Sequence, residues 1–356
     1  MMKTSPAVFA VGNEYQIMVP VTDNSLFWVE IGNDSFYDEQ NGIMRSICST
    51  HRVKVPMDVL NEAGEYTVCE REIIDRKPYF PETKDTKKTT FKFKPVPQND
   101  ARVYHIADTH NQIVAPIKAA ELFGKIDLLI MNGDIPDHSG DIANYDTIYK
   151  IADVLTGGQI PIVFARGNHD MRGYFAELIA DHTPNLNGNT YYTFRVGSIW
   201  GLVLDCGEDK DDSNAEYGHT VSCHKFRIRQ TEYIKEIIRN KKTEYKAKGV
   251  AHRIIVCHNP FTYIQKAPFD IERETYAEWA KLIKDNIKPE LMLCGHIHKL
   301  FVSKIGSEYD DLGQPCTVIS GSDKKENYHA GCGLVFSNPP QASFYASDGS
   351  VENLKI

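Results

Sequence analysis

Two hydrophobic rhythms divide the chain. Over residues 1–100, apolar and polar positions alternate in short runs: YQIMVPV, LFWVEI, HRVKVPM, EYTVCERE and TTFKFKPV. Turn-forming clusters separate them: Thr22-Asp23-Asn24, Gly32-Asn33-Asp34, Asn41-Gly42 and the stretch from Asn61 to Gly64. Alternation bounded by turn residues predicts strands with one buried face, and a succession of short strands predicts a β-sandwich. No helical period of useful length is visible there. Residues 81–88 (PETKDTKK) read as a charged surface loop. Pro95, Pro97 and Asn99 read as a linker, because proline suits neither a helix interior nor a central strand. A small all-β sandwich domain over residues 1–97 is therefore expected.

After residue 100 the rhythm changes. RVYHIAD, DLLIMNGD, PIVFARGN, YYTFRVG, SIWGLVLD, HRIIVCH, ELMLCGH and GQPCTVIS are apolar runs of strand length. Helix-like stretches lie between them: APIKAAELFGKI, residues 145–155, residues 225–246 and residues 276–286. The third is amphipathic, with apolar positions at Phe226, Ile228, Tyr233, Ile234, Ile237 and Ile238. Strands alternating with helices predict an α/β layered domain over residues 101–356. The chain closes on GLVFS and ASFYASDGSVENLKI, a hairpin pattern turning at Asp348-Gly349.

Composition adds exclusions. The 356 residues are 42% hydrophobic, enough for a substantial core. A formal net charge of −8 argues against a basic nucleic-acid binder and makes a large polyanion an unattractive substrate. No run of about 18 apolar residues occurs, so no membrane-spanning helix is expected. The first residues make a poor signal peptide, because Gly12, Asn13 and Glu14 interrupt the apolar stretch. None of the eight cysteines has zinc-finger spacing, and Cys257 and Cys294 lie in strand-like runs where a thiol serves as a small hydrophobe. That usage points to a reducing compartment, the cytoplasm.

The chemistry concentrates at strand ends. In chain order the clusters are Asp108-Thr109-His110; Gly133-Asp134 with Asp137; Gly167-Asn168-His169-Asp170; His258-Asn259; and Gly295-His296-Ile297-His298. Each has an ordinary explanation alone: a capping Asp, a plain turn, a polar loop, a satisfied core histidine. Gly-His-x-His is the strongest single signal, because two imidazoles two residues apart on extended chain share a face. Together, each just after an apolar run, they point to one site, since parallel strands bring their carboxyl ends to a common edge.

This ordered set resembles the calcineurin-like metallophosphoesterase superfamily. The resemblance implies a layered α/β sandwich of two β-sheets flanked by helices. It implies that Asp108, His110, Asp134 and His298 hold one metal, that Asp134, Asn168, His258 and His296 hold a second, and that Asp134 bridges them. Carboxylate, imidazole and amide donors suit Mn, Fe or Zn rather than Ca²⁺. Two such ions would hold a hydroxide between them to attack a phosphate ester. It further implies that His169 protonates the leaving group and that Asp170 orients His169 by a hydrogen bond. Arg166 reads either as a bidentate phosphate contact or as a salt-bridged scaffold residue. Asp205 reads as a turn or supporting residue.

A sandwich followed by this domain also looks like the architecture of purple acid phosphatases. There the residue three after the Gly-Asp aspartate is a tyrosine ligand and the first motif lacks its histidine. Here those positions are Asp137 and His110, so no tyrosinate–iron colour is expected, and Asp137 reads as a hydrogen-bond partner or cap. A small-molecule phosphoester is the expected substrate, with monoester and diester both open. Loops 137–144, 209–224 and 260–274 are expected to shape its pocket, with Tyr145, His138, Tyr217, His219, His224, Phe261 and Tyr263 as candidate wall residues. The competing reading is a non-catalytic binding protein that keeps the metals for structure; the presence of all seven ligands and His169 argues against it.

Overall fold

A computed structural model describes residues 1–22 and 24–356, so Asp23 of the Thr22-Asp23-Asn24 turn lies outside the described residues. Two sheets face each other. The larger runs in the order Val351–Asn353, Gln341–Ala346, Tyr328–Phe336, Ala101–Ile106, Leu128–Asn132, Pro161–Ala165, Ala7–Val11, Glu14–Pro20, Thr50–Pro56, with Asp323–Lys325 added beside Tyr328–Phe336. The smaller runs Tyr192–Val196, Ile199–Leu204, His252–Cys257, Leu291–Cys294, Thr317–Gly321, Leu300–Ser303.

Side-chain parity explains the layering. In the smaller sheet, Ile199, Val203, Ile254, Val256, Leu291, Leu293 and Ile319 join the core shared with the larger sheet. Their neighbours Trp200, Leu202, Leu204, Ile255, Cys257, Met292 and Cys294 join a second core with Ile234 and Ile237 of helix Cys223–Arg239 and Trp279 of helix Arg273–Leu282. Strands covered on both faces read as unbroken apolar runs, which is why the sequence shows no alternation there. Helices Val114–Phe123 and Asp146–Thr156 cover the outer face of the larger sheet. The result is a helix–sheet–sheet–helix sandwich.

The N-terminal third is all-β except for one short helix. Ser25–Ile31, Asp34–Tyr37, Glu65–Asp75 and Lys87–Lys92 form a separate sheet. Alternation in Ser25–Ile31 buries Phe27, Val29 and Ile31 with Val53 and Val55 of Thr50–Pro56. The second layer of this sandwich is Ala7–Val11, Glu14–Pro20 and Thr50–Pro56, and it is hydrogen-bonded into the larger sheet through the parallel pair Ala7–Val11 and Pro161–Ala165. One sheet and one core therefore cross the Pro95–Asn99 linker. Every residue of Ala7–Val11 is buried, so this strand carries no polar alternation to reveal it. Helix Met57–Ala63, closed by Gly64 at φ 64°, is likewise too short for a period to show.

The expected helix over 225–246 runs over Cys223–Arg239. Ile228 is 41% exposed, while its neighbour Arg227 is buried, donating from Nε to the Cys206 carbonyl at 2.7 Å and from Nη1 to Glu272 at 3.0 Å. The apolar tally missed this because a paired arginine takes a core position. The expected helix over 276–286 begins earlier, at Arg273, and ends in a π-helical turn, Ile283–Ile287. The final hairpin turns at Asp348-Gly349 as expected, with Gly349 at φ 96°. All eight cysteines are free thiols. No helix among the described residues is long and apolar enough to cross a membrane.

Candidate metal centre

Five strand ends build the site. Asp108, Asp134 and the 168–170 turn follow Ala101–Ile106, Leu128–Asn132 and Pro161–Ala165 of the larger sheet; His258 and the 296–298 turn follow His252–Cys257 and Leu291–Cys294 of the smaller one. The two sheets thus contribute to one cluster at their shared edge. Asp108, His110, Asp134, His296 and His298 all have φ between 44° and 69°. Non-glycine residues avoid this left-handed region at a cost of about 1–3 kcal/mol each. Holding five there turns successive side chains inward from tight strand-end bends.

Two glycines permit this closeness. A Cβ on Gly133 (φ 78°) would lie 2.6 Å from His258 Nδ1, and one on Gly167 would collide with the Asp134 carboxylate.

The donors converge in two sets. His298 Nε2 lies 3.2 Å from Asp108 Oδ1 and 3.1 Å from His110 Nε2. His258 Nε2 lies 3.1 Å from Asp134 Oδ2 and 3.6 Å from Asp108 Oδ1, and His296 Nδ1 lies 2.9 Å from Asn168 Oδ1. Supporting bonds hold Asp108, His258 and Asp134 in place. The His296 amide donates to Asp108 Oδ2 at 2.9 Å, and the Ser322 hydroxyl donates to the same oxygen. His258 Nδ1 donates to the Asn132 carbonyl at 2.6 Å, and the His169 amide donates to Asp134 Oδ1 at 2.9 Å.

The electrostatics are those of a cation site. Burial would raise the Asp108 carboxyl, but His258 and His298 hold it well below the usual carboxylate range. Burial also opposes ionisation of Asp134, yet the His258 charge brings it down to about 2. Burial would depress His258, but Asp134 and Asp108 push it up to about 10, so without metal a proton on this imidazole neutralises the paired carboxylates. Burial lowers both His110 and His296 to about 4, leaving their ring nitrogens free to ligate. His258 Nε2 is fully buried. A buried imidazole nitrogen facing two carboxylates fits a metal ion, and the two carboxylates, four imidazoles and one amide fit a pair of divalent or trivalent metals.

The residues around His169 differ in part from the sequence expectation. His169 Nδ1 lies 2.7 Å from the backbone carbonyl of Asp137, and its Nε2 lies 3.1 Å from Arg172 Nη1. Asp170, expected to orient His169, instead accepts at Oδ2 from the Gly167 amide at 2.7 Å and the Asp134 amide at 3.2 Å. Burial, with Asp134 nearby, pushes the Asp170 carboxyl up to about 8. It ties two ligand-bearing turns together, because backbone amides point at it and the imidazole does not. Asp137 bonds His110 Nδ1 at 3.0 Å through Oδ1, the hydrogen-bond partner expected of it.

Arg166 is salt-bridged: its Nε donates to the buried Asp205 at 2.6 Å and its guanidinium covers the Phe226 ring at 5.2 Å. Asp205 also accepts from Thr190 and from the Gly207 amide.

The sequence reading missed Arg172. It forks onto the buried Glu208 at 2.9 and 2.8 Å while Nη1 reaches His169. The available signal was its place three residues after His169, one turn along. Arg166, Arg172, Tyr174, Glu208 and Tyr217 line a cavity of about 650 Å³, which Arg172 links to His169. Of the other candidate wall residues, Tyr263 and Phe261 border a small cleft with His296. Tyr145 is buried, stacked on His182 with its hydroxyl on the Phe175 carbonyl. His138 caps its own loop by accepting from the Gly140 amide, His224 pairs with Glu272, and His219 is exposed.

The model of the calcineurin-like phosphoesterase family matches residues 101–300. No curated protein matches the sequence. Among solved structures, a purple acid phosphatase isolated from yellow lupin (Lupinus luteus) seeds is 12% identical, with a TM-score of 0.61 over 98% of this chain and 73% of its own. A dimetal phosphatase from Danio rerio is also 12% identical, covering 73% of this chain and 98% of its own with a TM-score of 0.47. The first likeness extends the shared fold across the N-terminal sandwich. With the family match spanning more than half the chain, the protein belongs to the calcineurin-like phosphoesterases, the metal-dependent enzymes that cleave phosphate esters.

Proposed function

We propose that the protein hydrolyses a small phosphate mono- or diester at a dinuclear centre held by Asp108, His110, Asp134 and His298 on one side and by Asp134, Asn168, His258 and His296 on the other. The observation that carries this reading is the buried His258 Nε2, aimed between two buried carboxylates at 3.1 and 3.6 Å. Bound metals of the Mn, Fe or Zn class would supply an activated water and neutralise charge on the phosphate.

The chain's own residues do the rest. Asp134 lies between the two donor sets and reaches both His110 and His258 through Oδ2, at 3.9 and 3.1 Å, which suits a bridging ligand. The Asp137 carbonyl fixes the His169 tautomer by accepting a hydrogen bond from Nδ1–H, so Nε2 is the atom available to the substrate. To protonate a leaving group, Nε2 must carry a hydrogen that Arg172 Nη1 now opposes. The leaving-group oxygen therefore takes the place of Arg172 at the ring, and the departing alcohol lies toward the 650 Å³ cavity. Arg166, locked to Asp205, shapes that cavity wall.

The test is hydrolysis of p-nitrophenyl phosphate and bis-p-nitrophenyl phosphate by wild type and Asp134→Ala. Wild type cleaves at least one of them, and the ratio assigns monoesterase or diesterase. Equal rates for wild type and the variant would contradict the reading.

A further inference from the structure

A second convergence of metal-ligand side chains lies far from these motifs, between the two layers of the N-terminal sandwich. Asp38, Cys48 and His51 bring one carboxylate oxygen, one sulfur and one ring nitrogen within 4.8 Å of one another. His51 Nδ1 lies 2.6 Å from Asp38 Oδ2, and Cys48 Sγ lies 3.5 Å from the same nitrogen. Asp38 and His51 are buried; Cys48 is the one cysteine of eight that is not.

We propose that these three residues form a further metal site, separate from the phosphoesterase centre, that takes Zn²⁺ or a similar borderline cation. Mixed sulfur, nitrogen and oxygen donors select zinc-like ions over Mg²⁺ or Ca²⁺. The spacing supports it. With metal–sulfur and metal–nitrogen bonds of about 2.3 and 2.0 Å in tetrahedral geometry, sulfur and nitrogen stand about 3.5 Å apart, as they do here. The nitrogen–oxygen contact must open by about 0.7 Å to admit the ion. The donors of the main centre stand at comparable separations of 2.9 to 3.2 Å.

The surroundings already hold these ligands in place. Phe27 stacks on the His51 ring at 5.1 Å. Ser25 Oγ lies 3.3 Å from His51 Nε2, ready to accept the ring proton when Nδ1 ligates. Asp38 Oδ2 would bind the ion while Oδ1 stays with Arg45 at 3.4 Å, and the guanidinium charge lowers affinity for a cation. On binding, the Cys48 thiol proton leaves and the ring proton moves from Nδ1 to Nε2. Cys48 borders a cavity of about 570 Å³ with Arg45, Thr50, Asp181 and His182, so the fourth coordination position opens to water.

Cobalt discriminates the two centres, because the phosphoesterase centre has no sulfur ligand. The full-length protein titrated with Co²⁺ is expected to show a thiolate-to-cobalt charge-transfer band in the near ultraviolet. The band is lost in Cys48→Ala and in Cys48→Ser, while hydrolysis of whichever p-nitrophenyl ester wild type cleaves is unchanged. Asp38→Asn, which keeps the shape of the site, weakens cobalt binding at least tenfold. No band in wild type, or a band that survives in both folded, active Cys48 variants, would overturn the proposal.

Discussion

Arg172 Nη1 lies 3.1 Å from His169 Nε2, within hydrogen-bonding distance, while the same guanidinium forks onto the buried carboxylate of Glu208. The pair holds a donor at the ring edge from which a leaving group would be protonated. A substrate oxygen that displaces it inherits a preset position between imidazole and guanidinium.

His169→Ala is therefore expected to lower kcat by about 10²–10⁴-fold with metal content unchanged. Arg172→Ala, losing one charge-assisted hydrogen bond to the reacting group, is expected to lower kcat/KM by about 10–100-fold. Arg172→Lys should recover only part, because lysine cannot fork onto Glu208 and reach His169 together. Steady-state kinetics with metal analysis check both. Wild-type kinetics in His169→Ala would remove His169 from the mechanism.

Gly167→Ala tests the packing of the centre without removing a ligand. The added methyl would collide with the Asp134 carboxylate and crowd the Asp134 amide, so the bridging position is displaced. The expected result is a folded protein with loss of metal binding and of activity. An equilibrium dialysis experiment with Mn²⁺ reads it directly, and full metal content in the variant would show that the turn relaxes freely.

His182 predicts an acid sensitivity separate from the phosphoesterase centre. It is 5% exposed, bonds Thr50 Oγ1 at 2.9 Å and stacks on Tyr145, and burial holds its pKa down to about 4. An unfolded histidine titrates near 6.5, so between roughly pH 6.5 and 4 the unfolded chain binds a proton that the native state refuses. Stability is thus present above pH 6.5 and lost as pH falls towards 4. Urea unfolding at pH 7 and pH 5 should show wild type losing about 2 kcal/mol more than His182→Gln. His110 and His296 titrate in both proteins and cancel in the difference.

The candidate centre was legible because its donor groups are specified by residue type at strand ends. Asp108, Asp134, His258 and His296 each follow a largely apolar strand, and the strands fix where the backbone emerges. The N-terminal layer was legible where one face is buried, as in Ser25–Ile31, and hidden where both are, as in Ala7–Val11. Long-range choices left no local trace. The bonding of Asp170 to backbone amides, the Arg166–Asp205 pair and the Arg172–Glu208 fork each join residues that only the sandwich brings together. Parity on a helix also misleads where a paired arginine such as Arg227 occupies the core.

The central claim is that seven side chains from five strand ends hold two metals that drive ester hydrolysis. Its most direct test is reconstitution: chelator-stripped protein is titrated with Mn²⁺ while bound metal and hydrolysis of both p-nitrophenyl substrates are followed together. Activity absent without metal and rising to a plateau at about two Mn²⁺ per chain is the predicted result. Hydrolysis that persists in metal-free protein, or a fully loaded protein inert towards both esters, would contradict it.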